Sequence, residues 1–173
     1  MHIPKRALSG GVTMLVSTIL TTACGSVSAT SPPTPTPLPS SLIQQRYLAA
    51  ADAYNNAENP IAQAENTYCV SGAASANLAS CETALGKDRQ ATITFDSAVR
   101  AITFPQSARS DVTKLLNDDA QLEMLLEQAS TAPSLSAINA LTPQIFQLLR
   151  TASSDADKVR ADVGLPAVSP SPT

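Results

Sequence analysis

Apolar residues recur at steps of three and four positions between about Leu42 and Gly164, which is the spacing of amphipathic α-helices. The pattern separates into four stripes. The first two comprise Ile43, Tyr47, Ala50, Tyr54 and Ala57, and then Ala91, Phe95, Ala98 and Ile102. The last two comprise Ala108, Val112, Leu115, Leu116, Leu122, Leu125, Leu126 and Ala129, and then Leu135, Ile138, Leu141, Ile145, Leu148, Leu149, Ala152, Val159 and Val163. Because short connections between long helices make neighbours antiparallel, the sequence predicts an all-α, up-down bundle of three or four helices over residues 42–164.

Two prolines inside the first and last stripes leave the number of helices open between three and four. Pro60 either kinks or briefly interrupts the first helix, since the residue before a proline disfavours the helical region, and helix is expected to resume to about Tyr68. Pro143 either kinks the fourth helix, which is the interpretation we favour, or begins a new helix with Thr142 as its cap.

Other residues predict where the helices begin and end. Pro105 is expected to stop the second helix, and Ser107 is expected to cap the third. After the fourth helix, Gly164 can adopt the left-handed C-terminal conformation, Leu165 can fold back on the last turn, and Pro166 forbids continuation.

The first 23 residues have the pattern of a secretory signal peptide. Lys5 and Arg6 form a positively charged start, and an apolar run of about fourteen residues follows from Ala7 to Leu20. That run is too short to span a bilayer, and the Lys-Arg pair favours the Sec route over the twin-arginine route.

The segment that follows, LTTACGS at residues 20–26, resembles the lipobox of bacterial lipoproteins. The resemblance implies that Cys24 receives a diacylglycerol on its sulfur and that residues 1–23 are removed before it. Thr21 departs from the family's usual leucine, and the alternative is ordinary cleavage near Ser28 and Ala29. A lipidated Cys24 would anchor the chain at the outer face of the bacterial cytoplasmic membrane.

Residues 24–41 are predicted to form a stalk, because they are rich in Ser, Thr and Pro and contain almost nothing to bury. Residues 165–173 have the same composition and are predicted to be a disordered tail. The helical part is similar to small uncharacterised lipoproteins of actinobacteria that carry such stalks, through an Arg-x-x-x-Gly-Leu-Pro segment at residues 160–166. That resemblance implies no activity.

Cys69 and Cys81 remain once Cys24 is lipidated, and they form an even pair in an oxidising compartment. The sequence therefore predicts one disulfide that joins the end of the first helix to the start of the second. A redox-active or metal-binding pair would need closer spacing and further ligands, which are absent.

Composition and charge exclude several classes of function. Aromatic residues make up 3% of the chain and Trp is absent, while Ala, Leu, Ser and Thr dominate, which favours helices over sheets. The mature chain would keep nine basic and 14 acidic residues, because Lys5 and Arg6 leave with the signal. These basic residues are scattered singly, so we expect no nucleic-acid partner and no polybasic contact with lipid headgroups.

The candidate chemistry is sparse. The only histidine is His2, which leaves with the signal, so histidine-based catalysis and histidine-ligated metals are excluded from the mature chain. No acyl-enzyme or phosphate-binding motif is present, and we expect no enzyme activity, no cofactor and no metal.

A carboxylate ridge on the third helix, made of Asp118, Asp119, Glu123 and Glu127, is a weak candidate site for Ca²⁺ or for a basic partner. The last three are spaced four apart and share one helix face. We expect this face to be solvated, although Asp119 could point inward and pair with Arg100 or Arg150.

These observations predict a lipid-anchored extracytoplasmic protein with a non-enzymatic binding or scaffold role, whose partners are the membrane, through its lipid, and an envelope protein. The alternative is a carrier of a small apolar ligand inside the bundle. A carboxylate-dependent hydrolase of the cell envelope is a weaker alternative.

Overall fold

The computed structural model describes residues 39–166, which contain four α-helices and no strand. The helices are α1 (Ser40–Tyr68), α2 (Leu78–Arg100), α3 (Arg109–Ser130) and α4 (Leu135–Asp162). Each helix packs on the next one along the chain, so the predicted all-α, up-down bundle is confirmed and has four helices. The predicted signal peptide, Cys24, most of the stalk and residues 167–173 lie outside the described residues.

Both internal prolines are accommodated inside continuous helices. Pro60 lies within α1, where it and Asn56 are both exposed, so the Asn56 carbonyl that loses its helical partner is on the solvent side. Pro143 lies within α4, and the hydroxyl of Thr142 donates back to the carbonyl of Ile138 at 3.3 Å. The alternatives of a broken first helix and of a new helix capped by Thr142 are therefore wrong.

Three predicted boundaries shift by a few residues. α1 begins at Ser40, so the last two residues of the predicted stalk are helical. α2 ends at Arg100, five residues before the stop predicted at Pro105. Phe104, in the connection that follows, is nevertheless buried in the bundle. The predicted cap at Ser107 is wrong, because α3 follows Ala108 and has no side-chain cap. Ala108 is fully buried, so core packing determines where this helix begins.

The end of α4 has the predicted left-handed stop. Gly164 has a φ of 77°, the N–H of Leu165 donates to the carbonyl of Arg160 at 2.8 Å, and the N–H of Gly164 donates to the carbonyl of Ala161 at 3.0 Å. This pair of hydrogen bonds is the Schellman motif. The Arg160 guanidinium also donates to the carbonyl of Pro166 at 3.1 Å, so residues 165 and 166 are held against the bundle and do not belong to the predicted tail.

Two apolar cores lie at opposite ends of the bundle. The first core draws on all four helices and includes Tyr47, Phe95, Val99, Leu115, Ala156 and Val159. The second core draws on α2, α3 and α4 and includes Cys81, Leu85, Leu122, Leu126, Ile138 and Ile145. Among the described residues, α1 contributes only to the first core, through residues of its first half. The second half of α1 therefore packs on α2 without belonging to either core. No helix within residues 39–166 has the length and apolarity needed to cross a bilayer.

Candidate functional site: a buried carboxylate cluster between α1 and α2

Three carboxylates face one another where the second half of α1 packs on α2. Glu58 and Glu65 are seven residues apart, which places them two turns apart on one face of α1, and Asp88 lies on α2. One carboxylate oxygen from each residue lies within 4.8 Å of the other two. We call these three residues the carboxylate cluster.

The carboxylate cluster is largely buried, and some of its oxygens have no hydrogen-bond partner. Asp88 is 3% exposed and Glu58 is 8% exposed, while Glu65 is half-buried. One oxygen of each side chain, Glu58 Oε2, Glu65 Oε1 and Asp88 Oδ1, is inaccessible to solvent and makes no hydrogen bond. Within residues 39–166, none of the three forms an ion pair with a basic side chain.

This environment opposes ionisation. Burial, together with smaller contributions from the charges of Asp88 and Glu65, raises the pKa of Glu58 to about 9. Burial raises the pKa of Glu65 to about 8, with a second contribution from Asp88. Burial also raises the pKa of Asp88, to about 6, against the lowering effect of a hydrogen bond from Glu58. Protons or another positive charge must therefore compensate the cluster near neutral pH.

The predicted disulfide holds the same pair of helices together. Cys69 and Cys81 are bonded, with their Cα atoms 5.0 Å apart, which confirms the prediction. Cys69 follows Glu65 by one turn and Cys81 precedes Asp88 by two turns. The backbone N–H of Asn77 also donates to the carbonyl of Tyr68 at 3.0 Å across the connection. The hairpin that carries all three carboxylates is thus covalently closed near the cluster.

The predicted carboxylate ridge on α3 is not a single solvated face. Asp119 is 6% exposed and forms a hydrogen bond with the buried Asp96 of α2. Glu127 pairs with Arg89 of α2 at 2.9 Å, and the charge of Glu123 acts on Asp96. The three residues therefore share one face, as predicted, but that face is turned toward α2.

The remaining ridge residue belongs to another surface. Burial raises the pKa of Asp118, and a hydrogen bond with Asp155 of α4 raises it further, so Asp118 lies on the α4 side of α3. Arg100, one of the predicted partners of Asp119, instead forms an ion pair with Asp96 at 3.0 Å. Asp96 in turn shares a hydrogen bond with Asp119, so Asp96 lies between the two predicted partners.

A second feature of the same helix pair is an apolar groove of about 440 Å³ between α1 and α2, which we call the α1–α2 groove. Its apolar lining consists mainly of alanines, with Tyr54, Pro60, Ile61 and Phe95. Lys87, Gln90 and Thr94 supply its polar lining and are exposed. Ala98, which the sequence places in the core stripe of the second helix, is exposed and lines this groove.

The carboxylate cluster was not predicted from the sequence, although the sequence contained a signal for it. The first apolar stripe continues past Tyr54 at helical spacing through Glu58, Ile61 and Glu65, so two acidic residues occupy positions expected to be buried. Asp88 on α2 carried a similar signal, because it lies at helical spacing between Leu85 and Ala91, just ahead of the predicted second stripe.

No protein-family model, curated protein or solved structure matches this chain.

Proposed function

We propose that this chain is a lipid-anchored, extracytoplasmic binding protein without enzyme activity, and that the α1–α2 groove binds a small apolar molecule. The observation that carries the proposal is the groove itself, whose volume of about 440 Å³ falls within the usual range of small-molecule sites, roughly 300 to 1,000 Å³. The lipobox-like segment around Cys24 supports the anchor.

The lining indicates the chemistry of the ligand. Alanine methyl groups supply most of the apolar surface, and Tyr54 and Phe95 add aromatic surface to the groove. Charge is limited to Lys87, which is exposed. An elongated apolar molecule with one polar or anionic end fits this arrangement, since its apolar part would leave water and its end would meet Lys87.

The position of the groove favours a ligand bound on the surface of the bundle over one carried inside it. Buried apolar residues inside the bundle form the two apolar cores, and we therefore propose a site on the surface of the bundle in place of one inside it. The groove instead lies on the outer side of α1 and α2, where Ala57 and Ala98 are exposed. A surface site of this kind exchanges its ligand without opening of the bundle.

The test is titration of the mature protein with a fluorescent fatty-acid analogue. We expect saturable binding that is weakened at least about tenfold in the variant Ala57→Glu/Ala98→Glu, because two charges would enter an apolar groove. The matched control is Ala120→Glu/Ala161→Glu, which places the same charges at exposed positions on α3 and α4. Equal binding by the two variants, or no saturable binding by the unmodified protein, would refute the proposed ligand class.

A further inference from the structure

We propose that Glu58, Glu65 and Asp88 form a binding site for one divalent cation of the calcium type, held between α1 and α2. This proposal does not rest on the groove or on its ligand. It rests on the geometry of the carboxylate cluster and on the fact that, within residues 39–166, no basic side chain pairs with it.

The spacing of the oxygens suits a large oxygen-binding cation. Because no two of these oxygens are more than 4.8 Å apart, a point exists within about 2.8 Å of all three, and Ca²⁺ binds carboxylate oxygens at about 2.3 to 2.6 Å. The spacing of the three oxygens is therefore compatible with Ca²⁺ after at most a small contraction. Mg²⁺ is the more demanding ion, because it requires about 2.0 to 2.1 Å and near-octahedral geometry.

The unpaired oxygens provide an independent observation. Asp88 is 97% buried, since its exposed fraction is 3%, and its Oδ1 has no hydrogen-bond partner. Glu58 is also more than nine-tenths buried, and its Oε2 likewise has no hydrogen-bond partner. Buried polar atoms in proteins are nearly always paired, and a bound cation would pair these oxygens at once.

Other buried carboxylates of the bundle show what the cluster lacks. Asp96 is as buried as Asp88, but Arg100 contacts its Oδ2 at 3.0 Å. Asp155 is 4% exposed and is paired with Lys158. In the carboxylate cluster, by contrast, buried carboxylates lie next to one another. No basic side chain within residues 39–166 forms an ion pair with any of them.

The ligand set also determines the class of cation. All three ligands are carboxylates, without histidine or thiolate, because both neighbouring cysteines are joined in a disulfide. Hard cations prefer such oxygen ligands, whereas zinc and copper prefer nitrogen and sulfur. The cation would connect α1 to α2 at the end of the bundle where α1 contributes to neither core.

The experiment uses the mature protein with its disulfide intact, first freed of metal with a chelator. We expect calorimetric titration with Ca²⁺ at pH 7.5 to give one binding event per chain. We also expect about 10 mM Ca²⁺ to raise the Tm by several degrees, because a ligand that binds only the folded state stabilises it.

Paired variants separate the cluster from general charge effects. Glu58→Gln/Asp88→Asn should lose both the calorimetric binding and the Tm increase. It should unfold at a Tm no lower than that of the metal-free protein, because it removes buried charge without changing side-chain size. Glu82→Gln/Asp157→Asn makes the same two kinds of substitution at less buried positions on α2 and α4, and it should keep both effects. Absence of saturable Ca²⁺ binding by the unmodified protein, or its persistence in Glu58→Gln/Asp88→Asn, would overturn the proposal.

Discussion

The hydroxyl of Tyr47 on α1 donates a hydrogen bond to the carbonyl of Ala156 on α4, over a distance of 3.1 Å. Tyr47 is fully buried, and its ring makes edge contacts with Phe95 and Phe104 at centroid distances of 6.4 and 6.3 Å. One side chain thus joins the first helix to the last and fills the centre of the first core.

Tyr47→Phe should lower the free energy of unfolding by about 1 to 2 kcal/mol, because it removes the buried hydroxyl and leaves the ring packing intact. Urea unfolding measures this difference. Tyr68→Phe is the control, since Tyr68 is 36% exposed, and it should change the stability by less than about 0.5 kcal/mol. Equal effects of the two substitutions would show that the hydrogen bond to Ala156 contributes nothing.

Leu122→Ala should lower the free energy of unfolding by about 2 to 5 kcal/mol, because Leu122 is 1% exposed within the second core. Lys114→Ala, on the exposed side of the same helix, should cost well under about 1 kcal/mol. Thermal unfolding of both variants tests the orientation of α3. A mild effect at Leu122 would mean that this stripe does not face the core.

Opening the disulfide by Cys69→Ala/Cys81→Ala should lower the free energy of unfolding by about 3 kcal/mol, since the bond closes a loop between residues 12 apart in sequence. Chemical unfolding of the variant and of the unmodified protein gives the difference. Labelling of the native protein should find no free thiol at either position. Stoichiometric labelling at Cys69 would contradict the bond.

Asp96 should make the stability depend on pH. Burial raises its pKa from 3.8 to about 6, while Asp119 and Arg100 lower it and Glu123 raises it. Because the folded pKa lies above the unfolded one, the contribution is complete below about pH 4 and is lost as the pH rises through about 6.

The measurement compares the unmodified protein with Asp96→Asn at pH 4 and pH 7, by urea unfolding. Asn cannot titrate, so the unmodified protein should lose about 1 to 2 kcal/mol relative to the variant between the two pH values. Parallel stability profiles would show that Asp96 ionises normally in the folded state.

Cys24→Ser should abolish membrane anchoring, because the thiol is the predicted site of acylation. Detergent-phase partitioning of the variant should shift to the aqueous phase or show uncut precursor. The mass of the N-terminal peptide of the unmodified protein should include a diacylglycerol on Cys24. An unmodified N-terminus at Ala29 or Thr30 would contradict the lipoprotein assignment.

Features within one helix, or between residues close in sequence, could be predicted from the sequence alone. The stripe through Leu115, Leu122 and Leu126 and the stop at Gly164 depend on local backbone geometry, which fixes side-chain spacing and the need for a left-handed residue. The Cys69–Cys81 bond also spans a short segment. These features need no knowledge of how the helices pack.

The carboxylate cluster and the orientation of Asp119 were decided by the tertiary structure. Helical periodicity shows which residues share a face, but not which residue of a neighbouring helix lies opposite, because that register depends on the packing of both cores. Asp88 meets Glu58 and Glu65 only once α2 is aligned on α1. In the same way, α1 continues through Pro60 because packing on α2 outweighs the local cost of one missing hydrogen bond.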